Sequence, residues 1–163
     1  MDLASGMGFR PVAAGAFIGE HSLSTSAMPI AAGRPDAEDL RKAGQFGKMI
    51  REKMKNMQPL DEMLPIQVPG SFPYKEPPPF PKISPVTQEM ICIKCEKCIS
   101  VCPTGAITLE GTIATDQSVC IRCCACVKSC PTGARIMEDP RILHKAEQLL
   151  KNCSKRKEPE TYL

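Results

Sequence analysis

The chain contains the stretch Cys92-Ile-Lys-Cys95-Glu-Lys-Cys98-Ile-Ser-Val-Cys102-Pro103 and repeats its pattern as Cys120-Ile-Arg-Cys123-Cys-Ala-Cys126-Val-Lys-Ser-Cys130-Pro131. Each copy has the spacing C-x2-C-x2-C-x3-C-P, and Thr-Gly-Ala follows the proline in both. Eight of the ten cysteines therefore stand at equivalent positions of one repeat. In a chain that is not secreted, clustered cysteines usually bind metal and do not form disulfides. The repeat predicts two related metal centres.

The composition of the 163-residue chain excludes several broad classes of protein. Sixteen prolines and no tryptophan argue against one large close-packed core, and so against a large single-domain enzyme. A formal charge of +3 does not suggest the basic surface of a nucleic-acid-binding protein. No apolar run approaches the ~20 residues of a membrane span. The apolar stretch after Val12 is short and lacks a basic flank, unlike a signal peptide. We therefore expect a cytoplasmic protein.

The spacing of the cysteines distinguishes two kinds of metal centre. A [4Fe–4S] cube needs four thiolates at its corners, and three cysteines separated by two residues each can wrap one face of it. A zinc site with four thiolates typically combines two distant C-x2-C pairs. Three consecutive ligands, found twice and closed each time by Cys-Pro, favour iron–sulfur clusters. Zinc is the alternative interpretation.

Composition also divides the chain into four segments. Residues 1–58 hold a short apolar strand and an amphipathic helix that begins after Pro35. The apolar stripe of that helix has spacings of three and four residues and consists of Leu40, Ala43, Phe46, Ile50, Met54 and Met57. Residues 59–85 contain nine of the sixteen prolines, which predicts an extended linker. Residues 86–139 hold the repeat, and residues 140–163 indicate a helix followed by a solvated polar tail.

The fold class expected for residues 86–139 is a small α+β domain with a pseudo-twofold repeat. Residues 106–109 and 112–115 flank Glu110-Gly111 and alternate in polarity, which predicts a β-hairpin. Residues 134–137, after the second copy, predict another strand. Bound clusters would form much of the core, so their binding contributes to folding. Four apolar residues between the cysteines are expected to form a dry shell around them: Ile93, Ile99, Ile121 and Val127.

Residues 86–139 resemble the bacterial-type two-cluster [4Fe–4S] ferredoxin domain, because all eight cysteines and both Cys-Pro pairs match its pattern. The segments 16–24 and 29–36, with the helix that follows, look like the last strand and last helix of a flavodoxin-like domain. The whole chain is similar to the C-terminal part of flavodoxin–ferredoxin fusion proteins, which tend to end in a tail like Arg156-Lys-Glu-Pro-Glu160. A doubly wound flavodoxin sheet needs more residues than precede the linker. We therefore expect FMN only if an upstream flavodoxin part exists in the native protein.

The resemblance implies crossed ligation, in which the fourth cysteine of each copy serves the cluster of the other copy. The ligands of the first cluster are then Cys92, Cys95, Cys98 and Cys130. The ligands of the second cluster are Cys120, Cys123, Cys126 and Cys102. Cys124 is out of phase with the repeat and Cys153 has no counterpart in it, so we expect neither to be a ligand.

The resemblance also implies a function, that of a ferredoxin-type protein carrying single electrons through two [4Fe–4S] clusters. Its partners would be redox proteins, either a flavodoxin-like domain or an oxidoreductase, and not nucleic acid. We expect an electron carrier without its own catalytic site. One alternative makes the chain the electron-delivery part of a larger flavin-dependent oxidoreductase. The less favoured alternative is a zinc-binding interaction module.

Overall fold

The computed structural model describes residues 2–56, 64–76 and 81–163. The helices are α1 (Asp2–Gly6), α2 (Ala37–Lys55), α3 (Lys97–Ser100), α4 (Ala125–Lys128) and α5 (Pro140–Asn152), with a 3-10 turn at Glu89–Ile91. The strands are β1 (Ala14–Ala16), β2 (Val86–Thr87), β3 (Ile107–Glu110), β4 (Thr112–Thr115), β5 (Arg135–Ile136) and β6 (Glu160–Tyr162). In the described parts of the chain, no helix is both long enough and apolar enough to cross a membrane.

The described residues fall into two compact units. The first unit contains residues 2–20, 31–56, 64–76 and 155–163, and the repeat unit contains residues 21–30 and 81–154. Segment boundaries drawn from composition differ from these in several places, and the linker predicted over residues 59–85 is divided between the two units. Residues 21–30, predicted as part of the N-terminal segment, belong to the repeat unit, and the polar tail belongs to the first unit.

The repeat unit contains two antiparallel strand pairs, β3–β4 and β2–β5. They are equivalent to each other in the same way as the two sets of cysteines, by one shift along the sequence. Strands β3 and β4 form the expected hairpin, with Ile107 opposite Thr115. Strand β5 confirms the strand predicted after the second copy, and it pairs with β2, placing Thr87 opposite Arg135. The offset that carries Cys92 to Cys120 also carries Thr87 to Thr115 and Ile107 to Arg135, so the two pairs are copies of one another. The pseudo-twofold repeat therefore extends to the backbone pairing.

The apolar core of the repeat unit is small and includes cysteines. Ile107 and Ile113 are buried together with Cys98 and Cys126, and Ile99 and Val127 pack against this cluster from partly buried positions. The predicted dry shell is thus right for two of its four members. Its other two members lie at the surface of the cysteine loops, where Ile93 is 64% exposed and Ile121 is 54% exposed.

The C-terminal end of the predicted linker is part of the repeat unit. Residues 64–76 and 81–85 form no helix or strand, as the proline density predicts, while 59–63 and 77–80 lie outside the described residues. Ile83, Ser84 and Pro85 are nevertheless buried, which extended spacer residues are not. A proline-rich run can pack its side chains without regular hydrogen bonding, so composition alone did not mark this end of the linker as core.

Helix α2 of the first unit confirms the predicted amphipathic helix. Asp36 caps its N-terminus by accepting from the backbone N–H of Asp39, whose side chain accepts from the backbone N–H of Asp36 in return. The apolar stripe is only partly covered, because Leu40 is 61% exposed and Met54 is 57% exposed. Met57, the last predicted member of the stripe, lies outside the described residues.

The polar tail is largely exposed, as predicted for a solvated terminus, but its end is not free, because it pairs with a strand of the first unit. Strand β6 pairs antiparallel with β1, with Thr161 opposite Gly15. A Cβ atom at Gly15 would lie 2.9 Å from the ring of Phe46, so glycine permits the close approach of β1 to α2. The short apolar strand and the helix expected in residues 1–58 are therefore both present, and the partner of that strand is the chain's own tail. Residues 17–24, most of the segment that resembles the last strand of a flavodoxin-like domain, form no strand.

An ion-pair network anchors the tail in the first unit. Arg34 pairs with the fully buried Asp39, and Arg156 from the tail pairs with Asp36 and Asp39. The hydrogen bond from Arg34 lowers the pKa of Asp39, and that from Arg156 lowers the pKa of Asp36. Carboxylates whose pKa is lowered by folding stabilise the fold above their ordinary pKa, and lose that contribution as the pH falls below it.

We therefore expect the first unit to weaken below about pH 4, where carboxylates with ordinary pKa values take up protons in the unfolded chain. Amide hydrogen exchange of α2, corrected for the intrinsic pH dependence, should show declining protection between about pH 5 and pH 3. Arg156→Gln removes one partner and should reduce the size of this decline. Protection that is independent of pH in the unsubstituted protein would contradict the prediction.

Candidate metal centre

Two cavities in the repeat unit are each lined by four of the eight repeat cysteines. Cys92, Cys95, Cys98 and Cys130 line the first cavity. Cys102, Cys120, Cys123 and Cys126 line the second cavity. The two cavities are alike in size, with about 20 Å³ each, as well as in lining. Each cavity thus combines three cysteines of one copy with the fourth cysteine of the other.

The backbone of the two cysteine loops follows the same unusual path. Lys94 and Glu96 adopt φ angles of 53° and 59°, and their counterparts Arg122 and Cys124 adopt 58° and 57°. Left-handed conformation costs a residue with a side chain about 1–2 kcal/mol. The same conformational cost occurs at the same two positions of both copies. Such strained backbone is typical of functional sites, where the loop conformation is fixed by what it binds. No sequence signal marks these positions, because none of the four is glycine.

Helices α3 and α4 place one cysteine of each loop in the core. Cys98 lies in α3 and Cys126 in α4, and each is 7% exposed. Burial raises the pKa of both thiols, as it does for any group whose charged form loses water. As thiolates these two side chains would need a positive partner in the interior.

The fourth cysteine of each copy lies in a turn that favours a thiolate. Burial acts to raise the pKa of Cys102, but hydrogen bonds to its sulfur outweigh burial, and the net effect lowers that pKa. The donors include the backbone N–H of Ala106, at 3.3 Å from Sγ. Cys130 has the same balance of causes and the same direction. The repeated Cys-Pro-Thr-Gly-Ala sequence therefore builds two thiolate-stabilising turns.

Arg135, which the sequence predicted only as part of a strand, lies beside both cavities. Its side chain lines the first cavity and is 2% exposed. Its Nη2 lies 3.8 Å from Sγ of Cys126, which lines the second cavity. Its Nε is buried without a hydrogen-bond partner among the described residues, as is Oγ of Ser129. Aligning the two copies of the repeat could have singled out this position, because the equivalent residue of the first copy is the apolar Ile107.

These features fit a [4Fe–4S] cluster in each cavity. Each cavity has four repeat cysteines spread around its wall. Nowhere in residues 2–56, 64–76 and 81–163 do three Cys, His, Asp or Glu side chains converge on a position for a single ion. The buried Nε–H of Arg135, whose side chain lines the first cavity, needs an acceptor that none of the described residues supplies. Thiolates and sulfides of a cluster are such acceptors.

Cys124 and Cys153 occupy different environments from the repeat cysteines. Cys124 is 3% exposed and lines the second cavity, where it holds the N-cap position of α4 that Glu96 holds for α3. Its thiol donates to the carbonyl of Arg122 at 3.7 Å. Burial raises the pKa of Cys124 to about 11. Cys153 is exposed at the end of α5.

We expect neither of these two cysteines to be required for cluster binding. Cys124→Ser and Cys153→Ser should each leave about eight iron atoms per chain, the content of two four-iron clusters. Serine can donate the hydrogen bond that the thiol of Cys124 donates to the carbonyl of Arg122, so this contact within the loop is kept. Iron and sulfide analysis of the anaerobically purified variants checks this. A loss of about four iron atoms from either variant would show that the repeat phase does not identify the ligands.

Comparison with known families identifies the same region of the chain. Residues 91–134 match the family described as the 4Fe-4S dicluster domain. The match begins just before Cys92 and ends just after the second Thr-Gly-Ala, so it contains both copies of the repeat. No curated protein matches the chain.

Proposed function

We propose that this protein is an electron carrier with two [4Fe–4S] clusters, because residues 91–134 match the family described as the 4Fe-4S dicluster domain. Its clusters are held in crossed fashion, one by Cys92, Cys95, Cys98 and Cys130, the other by Cys120, Cys123, Cys126 and Cys102. The observation that carries the proposal is the grouping of thiols, since each three-cysteine loop shares its cavity with the fourth cysteine of the other copy.

The ligands of each site divide into a buried and an exposed set. A bound cluster supplies a reversible one-electron couple. Cys98 and Cys126 hold the inner side of the sites, where the apolar core excludes water. Cys95 and Cys123 are exposed, so the sites come closest to solvent there. An electron can therefore pass at the surface of either loop while the inner side stays dry.

The surroundings of the exposed ligands support a protein partner. Ile93 and Ile121 stand beside Cys95 and Cys123 and expose most of their surface, and Met90 is 96% exposed. Apolar side chains at the rim of a redox site give a partner a contact that excludes water without a large interface, as transient electron-transfer complexes require. We propose that redox protein partners dock over these loops.

The proposal is tested by chemical analysis and reductive titration of the full chain purified without oxygen. We expect about eight iron atoms and as many sulfides per chain, and two one-electron reductions by spectroelectrochemistry. About four iron atoms would contradict the two-cluster assignment. Stoichiometric zinc without iron or sulfide would overturn electron transfer and favour the zinc-binding module.

A further inference from the structure

We propose that Arg135 is a positioning residue that raises the reduction potentials of both clusters, by holding a positive charge between the two sites. The inference rests on the proposed function, since it concerns how the two clusters are tuned. Arg135 is not a ligand and follows the last repeat cysteine, Cys130, in the chain. It would act on the clusters through hydrogen bonds and charge.

The fold does not require arginine at this position. The equivalent residue of the first copy is Ile107, which is buried to a similar degree and opposes Thr115 as Arg135 opposes Thr87. An aliphatic side chain therefore satisfies the same backbone position on one side of the pseudo-twofold axis. At the equivalent position of the second copy, the buried arginine must lose water from its charged group, which costs free energy. Packing does not require this cost, since an aliphatic side chain fits the same position in the first copy.

The guanidinium of Arg135 bridges the two halves of the repeat. Its Nη1 donates to Oγ1 of Thr87 at 2.7 Å, and its Nη2 donates to Oγ1 of Thr115 at 2.7 Å. These threonines are equivalent residues of the two strand pairs. Nη2 also donates to the carbonyl of Pro85 at 3.0 Å. The charge is thus fixed by neutral acceptors from both halves, close to the axis that relates them.

The buried cation lacks a carboxylate partner within the described parts of the chain. All of its hydrogen-bond acceptors there are hydroxyl, carbonyl or thiol groups, and its Nε has none. An unpaired buried charge is strongly destabilising unless an opposite charge is near. Nη2 lies 3.8 Å from Sγ of Cys126, and the side chain lines the first cavity together with Cys98, so one cysteine of each proposed ligand set is near the charge. The opposite charge is therefore supplied by the thiolate-ligated clusters on either side.

The direction of the effect on potential follows from the charges. A [4Fe–4S] core with charge 2+ and four thiolates carries a net charge of −2, and adding one electron makes it −3. A fixed cation stabilises the more negative form more strongly, and water is too scarce in the interior to screen it. Hydrogen bonds to cluster sulfur act in the same direction. Removing the charge should therefore make both clusters harder to reduce.

The test compares potentials of the full chain carrying Arg135→Gln, Arg135→Lys or Arg141→Gln, each loaded anaerobically and assayed for iron. Glutamine can still donate to the neutral acceptors, lysine keeps the charge, and Arg141 is an exposed control paired with Asp139. For Arg135→Gln we expect the equilibrium constant for reduction of each cluster to fall at least tenfold. This corresponds to a reduction potential lower by about 59 mV for one electron. Arg135→Lys should shift less, and Arg141→Gln should leave both potentials unchanged.

The inference is overturned if Arg135→Gln holds its full iron and keeps both potentials, or if only one cluster shifts. It is also overturned if Arg135→Lys shifts as far as Arg135→Gln. If neither Arg135 variant assembles clusters, the inference is tested by pulsed electron paramagnetic resonance of the reduced protein with ¹⁵N-labelled arginine side chains. The protein used carries Arg122→Lys, because Arg122 lies in the second cysteine loop and its signal could be mistaken for that of Arg135. Coupling of a guanidinium nitrogen to the cluster spins supports the inference, and no coupling contradicts it. If the unsubstituted protein binds no clusters, the proposed function itself fails.

Discussion

Removal of iron and sulfide is expected to unfold the repeat unit. Its apolar core contains few residues, and two of the four buried residues at the centre of that core are the cysteines Cys98 and Cys126. Ordering a backbone costs about 1–2 kcal/mol per residue, and a core of this size cannot supply that for the whole unit. Cluster binding must therefore contribute much of the folding free energy, as metal binding does in other small metal-dependent domains.

The expected result is measured by amide hydrogen exchange before and after anaerobic chelation. Amides of the β3–β4 hairpin, which pairs Leu109 with Ile113, should lose their protection entirely. Helix α2 is an internal control, because its cap and its ion pairs lie within the first unit. A hairpin that remains protected after the iron has been removed would show that the cysteine loops fold without clusters.

Local sequence patterns predicted most of the regular structure. Helix α2 and helix α5 follow apolar spacings of three and four residues, and the β3–β4 hairpin follows a polar–apolar alternation around a Gly111 turn. These signals are short-range, so a window of sequence contains all the residues that produce them. The cysteine repeat, together with the family resemblance, identified in advance the eight repeat cysteines that line the two cavities.

Structure that depends on distant pairing was not predictable in this way. Strand β6 has three residues and pairs with β1, which lies at the other end of the chain. Strand β2 has two residues and pairs with β5. Neither is long enough to show a periodicity of its own. For β2 a signal did exist, because the offset between the two cysteine sets aligns Val86-Thr87 with Ala114-Thr115 of the hairpin.

The importance of Arg135 also depends on three dimensions. In sequence it is a charged residue in a predicted strand, where an exposed position is the ordinary expectation. Only the fold shows that two equivalent threonines converge on its guanidinium and that two cysteines lie near its charge. Comparing the two copies of a repeat residue by residue would have identified the position, since arginine replaces isoleucine there.

Crossed ligation predicts opposite outcomes for two double variants that share one substitution. Cys92→Ala with Cys130→Ala removes two ligands from a single proposed site, so the second cluster should remain. Cys92→Ala with Cys102→Ala removes one ligand from each proposed site, so both clusters should be weakened or lost. Cys102 and Cys130 are equivalent residues of the repeat with similar burial and similar pKa directions, which makes the two variants closely matched.

The iron content of these two variants is the most direct test of the two-cluster, crossed arrangement. The full chain of each variant is purified without oxygen and assayed for iron and sulfide, with the unsubstituted protein as reference. We predict about four iron atoms per chain for Cys92→Ala with Cys130→Ala, and markedly fewer for Cys92→Ala with Cys102→Ala. The reverse order, or equal iron in the two variants, would contradict the account.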